Sequence, residues 1–203
     1  MQTQLLAVNG RRRRTAQVFW LYGLSGAGKS TIAEATAKAL KDEGRAAFVI
    51  DGDDLRRGLC RDLGFSAADR IENVRRAAEF AKWLCERGGE DLVVLVALMT
   101  PHDNMRRLAR EIAGGRGFKE IYVQCDFTTC ASRDPKGLYA RAASGEITHF
   151  AGRDLAFEEP PAPDLLLNTT HRSVEDCMRL VLKEIEPHDT LYSCVPSRIE
   201  GGE

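Results

Sequence analysis

Apolar residues in this chain are gathered into short runs at 18–22 (VFWLY), 46–50 (AAFVI), 92–98 (LVVLVAL), 118–125 (FKEIYVQC) and 165–167 (LLL). Each is too short for a helix, and most are rich in β-branched or aromatic residues, so they predict strands. The run at 92–98 is almost wholly apolar, as a central parallel strand covered on both faces would be. Helical spacing occupies the intervals. An Ala-rich stretch spans 29–41, and a long one opens at Ser66, with Asp69 three residues on as a capping box, and runs to Arg87 before Gly88-Gly89. A third spans 102–113 and stops at Gly114-Gly115. This alternation predicts an α/β fold: a mainly parallel five-stranded sheet flanked by helices, with right-handed crossovers. Ligands in such folds bind at the carboxyl ends of the strands.

A polar, basic section at 128–163, broken by Gly137, Gly145, Gly152 and Pro160-Pro161, separates the last two predicted strands. A section of that length within one domain predicts a mobile lid segment. The expected division is a basic arm at 1–16 containing Arg11 to Arg14, one domain at 17–187 and a weakly structured tail at 188–203. With 29 Lys and Arg against 30 Asp and Glu, the formal charge is -1, so no global field favours nucleic acid or an anionic membrane. No apolar run approaches the roughly 18 residues of a membrane span and no cleavable signal is evident, so a cytoplasmic protein is expected. Six cysteines without a CxxC pair read as reduced, partly buried thiols.

One motif carries chemistry directly. Gly23, Leu24, Ser25, Gly26, Ala27, Gly28, Lys29 and Ser30 fit GxxxxGK[ST], between a predicted strand and a predicted helix, the context that makes the pattern a phosphate loop. Its backbone N–H groups and the following helix dipole suit phosphate oxygens, with Lys29 bridging the β- and γ-phosphates of ATP. Ser30 is the expected Mg²⁺ ligand, and Thr31 is its neighbour in the ATP-binding stretch. No acidic residue ends the 92–98 run, so Asp51 and Asp53, at the end of the run beside it, are the candidates for a Mg²⁺-bound water and an acceptor hydroxyl. Which serves which is open at this point.

GLSGAGKS at 23–30, DGDDLRRGL at 51–59, DLGFSAADRIENVRR at 62–76 and RDPKGLYARAASGEITHFAG at 133–152 together resemble the adenylylsulfate kinase family, from about residue 18 to residue 185. The resemblance implies a P-loop kinase fold and transfer of the γ-phosphoryl of MgATP to the 3′-hydroxyl of adenylylsulfate. It implies that Asp53 lies beside that hydroxyl and that Arg56, Arg70 and Asn73 hold the nucleotide and its phosphosulfate. Phe65 and Phe150 would sandwich the adenine, Met99 and Thr100 would line the pocket, Lys136 and Leu138 would belong to the lid, and Arg133 would contact ATP. A homodimer, and functional coupling to an ATP sulfurylase, are implied as well. Departures from the family pattern fall at Asp54, Asp103, His149 and Arg153. From the residues alone, Arg70 and Asn73 share a helix face, whereas Phe65 and Phe150 read as core residues. A phosphate loop is indifferent to the acceptor, so a kinase for another nucleotide hydroxyl, or a nucleotide-binding module without turnover, also stands open.

Overall fold

Six consecutive buried residues form the first strand, β1 (Gln17–Tyr22), and their alternation explains how the sheet is covered. Phe19 and Leu21 point into one apolar layer, with Ile32, Leu40, Leu95, Ile121, Val123 and Leu167. Val18, Trp20 and Tyr22 point into the other, with Val94, Val96, Met105 and the alanines of a long helix. A strand buried on both faces needs no polar alternation. The structure is a computed structural model and describes residues 16–89, 91–115, 117–135, 137–146 and 156–185. The arm at 1–16, apart from its last residue, the tail beyond 187, Lys136, His149, Phe150 and Arg153 lie outside the described residues.

After β1 come α1 (Lys29–Asp42), β2 (Ala47–Asp51), α2 (Gly52–Arg57), α3 (Ala67–Arg87), β3 (Val93–Ala97) and α4 (Asp103–Ala113). The remainder is β4 (Phe118–Gln124), α5 (Phe127–Arg133), α6 (Leu138–Ala143), β5 (Leu165–Asn168) and α7 (Val174–Glu184). The strands order as β2-β3-β1-β4-β5, and every pairing is parallel. From β1 the chain winds first to one side for β2 and β3, then across to the other for β4 and β5. That reversal opens a crevice at the carboxyl ends of the central strands. Helices α1 and α7 lie on one side of the sheet, and α3 with α4 on the other.

The capping box that opens α3 is present in both directions: Asp69 N–H donates to Ser66 Oγ at 3.1 Å and Ser66 N–H to the Asp69 carboxylate at 3.3 Å. Four helices were not anticipated by apolar spacing. The 51–54 segment is the N-cap and first turn of α2 rather than a turn alone, and the section read as one lid contains α5 and α6. Helix α7 packs on α1. Among the described residues no helix is long and apolar enough to cross a membrane.

Candidate active site

The phosphate loop leaves β1 and enters α1. Its tightness is set by Gly23, where a Cβ would stand 2.2 Å from the carbonyl oxygen of Val123 in β4, so no side chain fits. Gly28 caps α1 in the left-handed conformation, with φ of 97°. Lys29 folds back over the loop and donates to Gly23 O at 3.0 Å and Leu24 O at 2.8 Å. The first-turn N–H groups of α1 and the lysine therefore share one small volume, the chemistry of a polyphosphate site.

Asp51, the last residue of β2, faces that volume. One carboxylate oxygen accepts from the Asp53 N–H at 2.8 Å, capping α2, and the other accepts the Ser30 hydroxyl. Strand pairing brings this about, because β2 lies next to β3, which lies next to β1. Asp53 sits in the first turn of α2. Asp54, one residue on, is exposed and pairs with Arg57 at 2.8 Å, so this departure from the family pattern is a surface ion pair.

The far end of α2 belongs to a second cluster. Arg56 donates to Gly64 O at 2.9 Å and to Leu63 O at 3.3 Å, and its guanidinium lies 4.3 Å from the centre of the Phe65 ring. Arg70 approaches the same ring at 5.7 Å, donates to Phe65 O at 3.0 Å and reaches the Met99 sulfur at 4.0 Å. Burial lowers the pKa of both guanidiniums, and for Arg70 the Arg56 charge lowers it further. Two partly desolvated like charges side by side favour an anion between or above them. Phe65 is 60% exposed, which corrects the core reading that its apolar character suggests. Asn73, a turn beyond Arg70, is buried, and its Oδ1 has no hydrogen-bond partner among the described residues. A buried acceptor of that kind is the exception in a folded protein.

Thr100 is a correction. Its side chain is fully buried and its hydroxyl accepts the Trp20 indole N–H at 3.0 Å while donating to Leu98 O at 3.2 Å, so it is a core contact, not a pocket-lining hydroxyl. Leu138 opens α6 and packs partly buried against the α1 side of the core. Arg133, at the end of α5, donates to Thr169 O at 2.7 Å, beside the phosphate loop. Asp103 pairs with Arg107 at 3.1 Å, and its N–H donates to Glu158 at 2.7 Å.

Some contacts have no motif that announces them. Arg106 is buried and donates to the carbonyls of Thr100, Pro101 and Glu158, which fixes the chain at Glu158 onto the start of α4. Tyr139 and Thr169 bond to the phosphate loop itself. The only sequence signal for Tyr139 was its place in the RDPKGLY block.

A model of the adenylylsulphate kinase family matches residues 15–168. The chain is 45% identical over 175 residues to the adenylyl-sulfate kinase of Pseudomonas aeruginosa, covering 86% of this chain and 88% of that one. It is 49% identical over 159 residues to the bifunctional enzyme NodQ of Rhizobium sp., of which it spans 24%. Its fold superposes on the Mycobacterium tuberculosis APS kinase CysC in complex with AMPPNP and APS with a TM-score of 0.80 and 41% identity, covering 86% of this chain and 99% of that one. Phosphate loop, paired aspartates and arginine–phenylalanine cluster all lie within the matched stretch, and the chain belongs to the adenylylsulphate kinase family.

Proposed function

We propose that the protein transfers the γ-phosphoryl group of ATP to the 3′-hydroxyl of adenylylsulfate, giving 3′-phosphoadenylylsulfate and ADP. The observation that carries this reading is the bridging role of α2. Its N-cap Asp51 bonds to Ser30 of the phosphate loop, and Arg56 at its other end stacks on Phe65. Six helical residues rise about 9 Å, so one rigid element sets a donor polyphosphate site beside an aromatic and cationic site for a second, anionic nucleotide. The relative from M. tuberculosis holds an ATP mimic and APS together, which supports the same pairing here.

In this reading the loop N–H groups and Lys29 bind the β- and γ-phosphates, and Lys29 follows the charge that develops on the transferred group. Phe65 and Phe150 hold the adenine of the acceptor, and Arg56, Arg70 and Asn73 hold its anionic end and ribose. The Oδ1 of Asn73 needs a donor, and a nucleotide hydroxyl or amino group supplies one. Asp53 accepts a hydrogen bond from the 3′-hydroxyl and aims its oxygen at the γ-phosphorus. Lys136, Leu138 and Arg133 belong to the segment that closes over ATP and excludes water.

The adjacent oxygens of Ser30 and Asp51 fit a hard cation that keeps most of its waters, so these two residues would hold Mg²⁺. A Mg²⁺ ion held there would supply charge neutralisation for the ATP polyphosphate. A homodimer in the cytoplasm, functionally coupled to an ATP sulfurylase, completes the reading.

The test is transfer from radiolabelled ATP to adenylylsulfate, run beside AMP and other nucleotides. Rapid, adenylylsulfate-selective labelling is expected. Equal labelling of AMP would make the protein a kinase for another nucleotide hydroxyl, and no labelling of any acceptor would overturn the function.

A further inference from the structure

A phosphate loop works only while its N–H groups face the ligand, which turns its carbonyls outward, where each needs a donor of its own. Two of these carbonyls are held by side-chain hydroxyls from distant parts of the chain. Tyr139 Oη donates to Ser25 O at 2.8 Å, and Thr169 Oγ1 donates to Ala27 O at 2.9 Å. We propose that Thr169 and Tyr139 are positioning residues for ATP, fixing the orientation of the loop peptides by holding the carbonyls of Ala27 and Ser25.

The Thr169 contact is directional. Its backbone N–H donates to Gln124 O at 2.9 Å, continuing the β4–β5 ladder, and its carbonyl accepts from Arg133 Nη2 at 2.7 Å. Arg133 Nη1 lies 3.5 Å from the Thr169 hydroxyl. A guanidinium only donates, so the hydroxyl proton goes to a carbonyl, and of the two in reach Ala27 O at 2.9 Å is nearer than Gln124 O at 3.3 Å. Thr169 is buried, so water does not compete for that bond. Tyr139 is fixed by its edge-on contact with Phe127, ring centres 5.3 Å apart. Burial first, and the neighbouring Cys130 second, raise its pKa, so the phenol keeps the proton it donates. Both holders stand on elements that follow the 128–163 section or lie within it, and Arg133 ties α5 to the same point. The loop's shape therefore depends on how that section is seated.

Removing either hydroxyl leaves a loop carbonyl without its donor and lets the peptide rotate. Each loss should weaken ATP binding by about tenfold, the scale of one buried hydrogen bond. The acceptor cluster around Phe65 shares neither contact, so adenylylsulfate affinity should stay within about twofold, inside the usual range for distant sites.

Thr169→Val, Thr169→Ser and Tyr139→Phe are compared with the wild type by calorimetric titration with AMPPNP and, separately, with adenylylsulfate, alongside KM and kcat for both substrates. The expected result is selective loss of AMPPNP affinity and a raised KM for ATP in Thr169→Val and Tyr139→Phe, with Thr169→Ser close to wild type. AMPPNP affinity within twofold in both hydroxyl-free variants would overturn the assignment. So would equal losses for the two nucleotides, or a Thr169→Ser as weak as Thr169→Val. Should Thr169→Val not fold, Tyr139→Phe decides by the same criteria. The inference rests on the loop binding ATP. A wild-type protein that binds AMPPNP but fails to phosphorylate adenylylsulfate would overturn the proposed function alone.

Discussion

Both carboxylate oxygens of Asp51 are engaged at the phosphate loop, one by the Ser30 hydroxyl and one by the Asp53 N–H. In the proposed reading Asp51 would stand on the metal side, and Asp53, in the first turn of α2, would serve the acceptor. Asp53→Asn should therefore lower kcat by one or more orders of magnitude while nucleotide affinities stay within a few-fold, the pattern of an interaction realised mainly in the transition state. Asp51→Asn should show a defect that added Mg²⁺ partly rescues. Parallel kinetics over a Mg²⁺ titration check this, and rescue at Asp53 alone would reverse the two roles. Arg70→Ala should weaken adenylylsulfate by about 1.5–3 kcal/mol, the range of a charge-assisted hydrogen bond, with little effect on ATP. Calorimetry with each nucleotide measures the difference, and equal losses would dissolve the division between the two sites. At this scale the sequence is most legible where a motif fixes backbone geometry, as at Gly23, Lys29 and Ser30. It is least legible where a hydroxyl serves the interior: Thr100 and Thr169 are both buried threonines, and only their neighbours in the fold separate a core contact from a hold on the loop.

Among the elements, α3 was readable from both ends because its signals are local: a capping box at Ser66 and Gly88 at its C-cap. Ser66→Ala should cost about 1 kcal/mol of stability, the usual value of an N-cap oxygen, measured by urea unfolding. A change below the error of that measurement would make the capping box incidental. The strands were legible from their apolar runs, to within a residue or two at the ends. Helices α2, α5 and α6 escaped because each has only six or seven residues, fewer than two full turns, too short for a periodic pattern to emerge. Tertiary contacts hold them instead: α5 buries Cys130, whose thiol burial pushes up to about 12, the neighbouring Cys125 adding to the rise and the Tyr139 side chain opposing it. At pH 8 that thiol is protonated, so native protein should resist iodoacetamide at Cys130 for hours, while denatured protein reacts within minutes. Peptide mass spectrometry after timed alkylation tells the two apart, and fast labelling of native protein would show that α5 opens readily.

The described residues form one sheet between two apolar layers that share no side chains among those residues but are joined through the strand backbones. Leu95, fully buried in the α1 layer, sits between Val94 and Val96 of the α3 layer. Leu95→Ala should cost about 2–5 kcal/mol, as large-to-small changes in a packed core do. Because the layers are joined through the strands, Trp20 fluorescence on the opposite face should shift its midpoint together with far-UV circular dichroism. Two separated transitions would mean that the layers unfold independently. The central place of β1 also has a consequence for how the chain is made. Its sheet partners begin only at Val93 and Phe118, so one edge stays open until β3 has been made and the other until the ribosome has passed Gln124. At about 5–20 residues per second the interval to Gln124 is on the order of 5–20 s, during which the apolar segment VFWLY has at least one edge without its partner strand. The segment that comes to shape the phosphate loop is thus the one with most need of a chaperone in the nascent chain, and slower elongation between β1 and β4 would lower the yield of folded enzyme before any catalytic residue is altered.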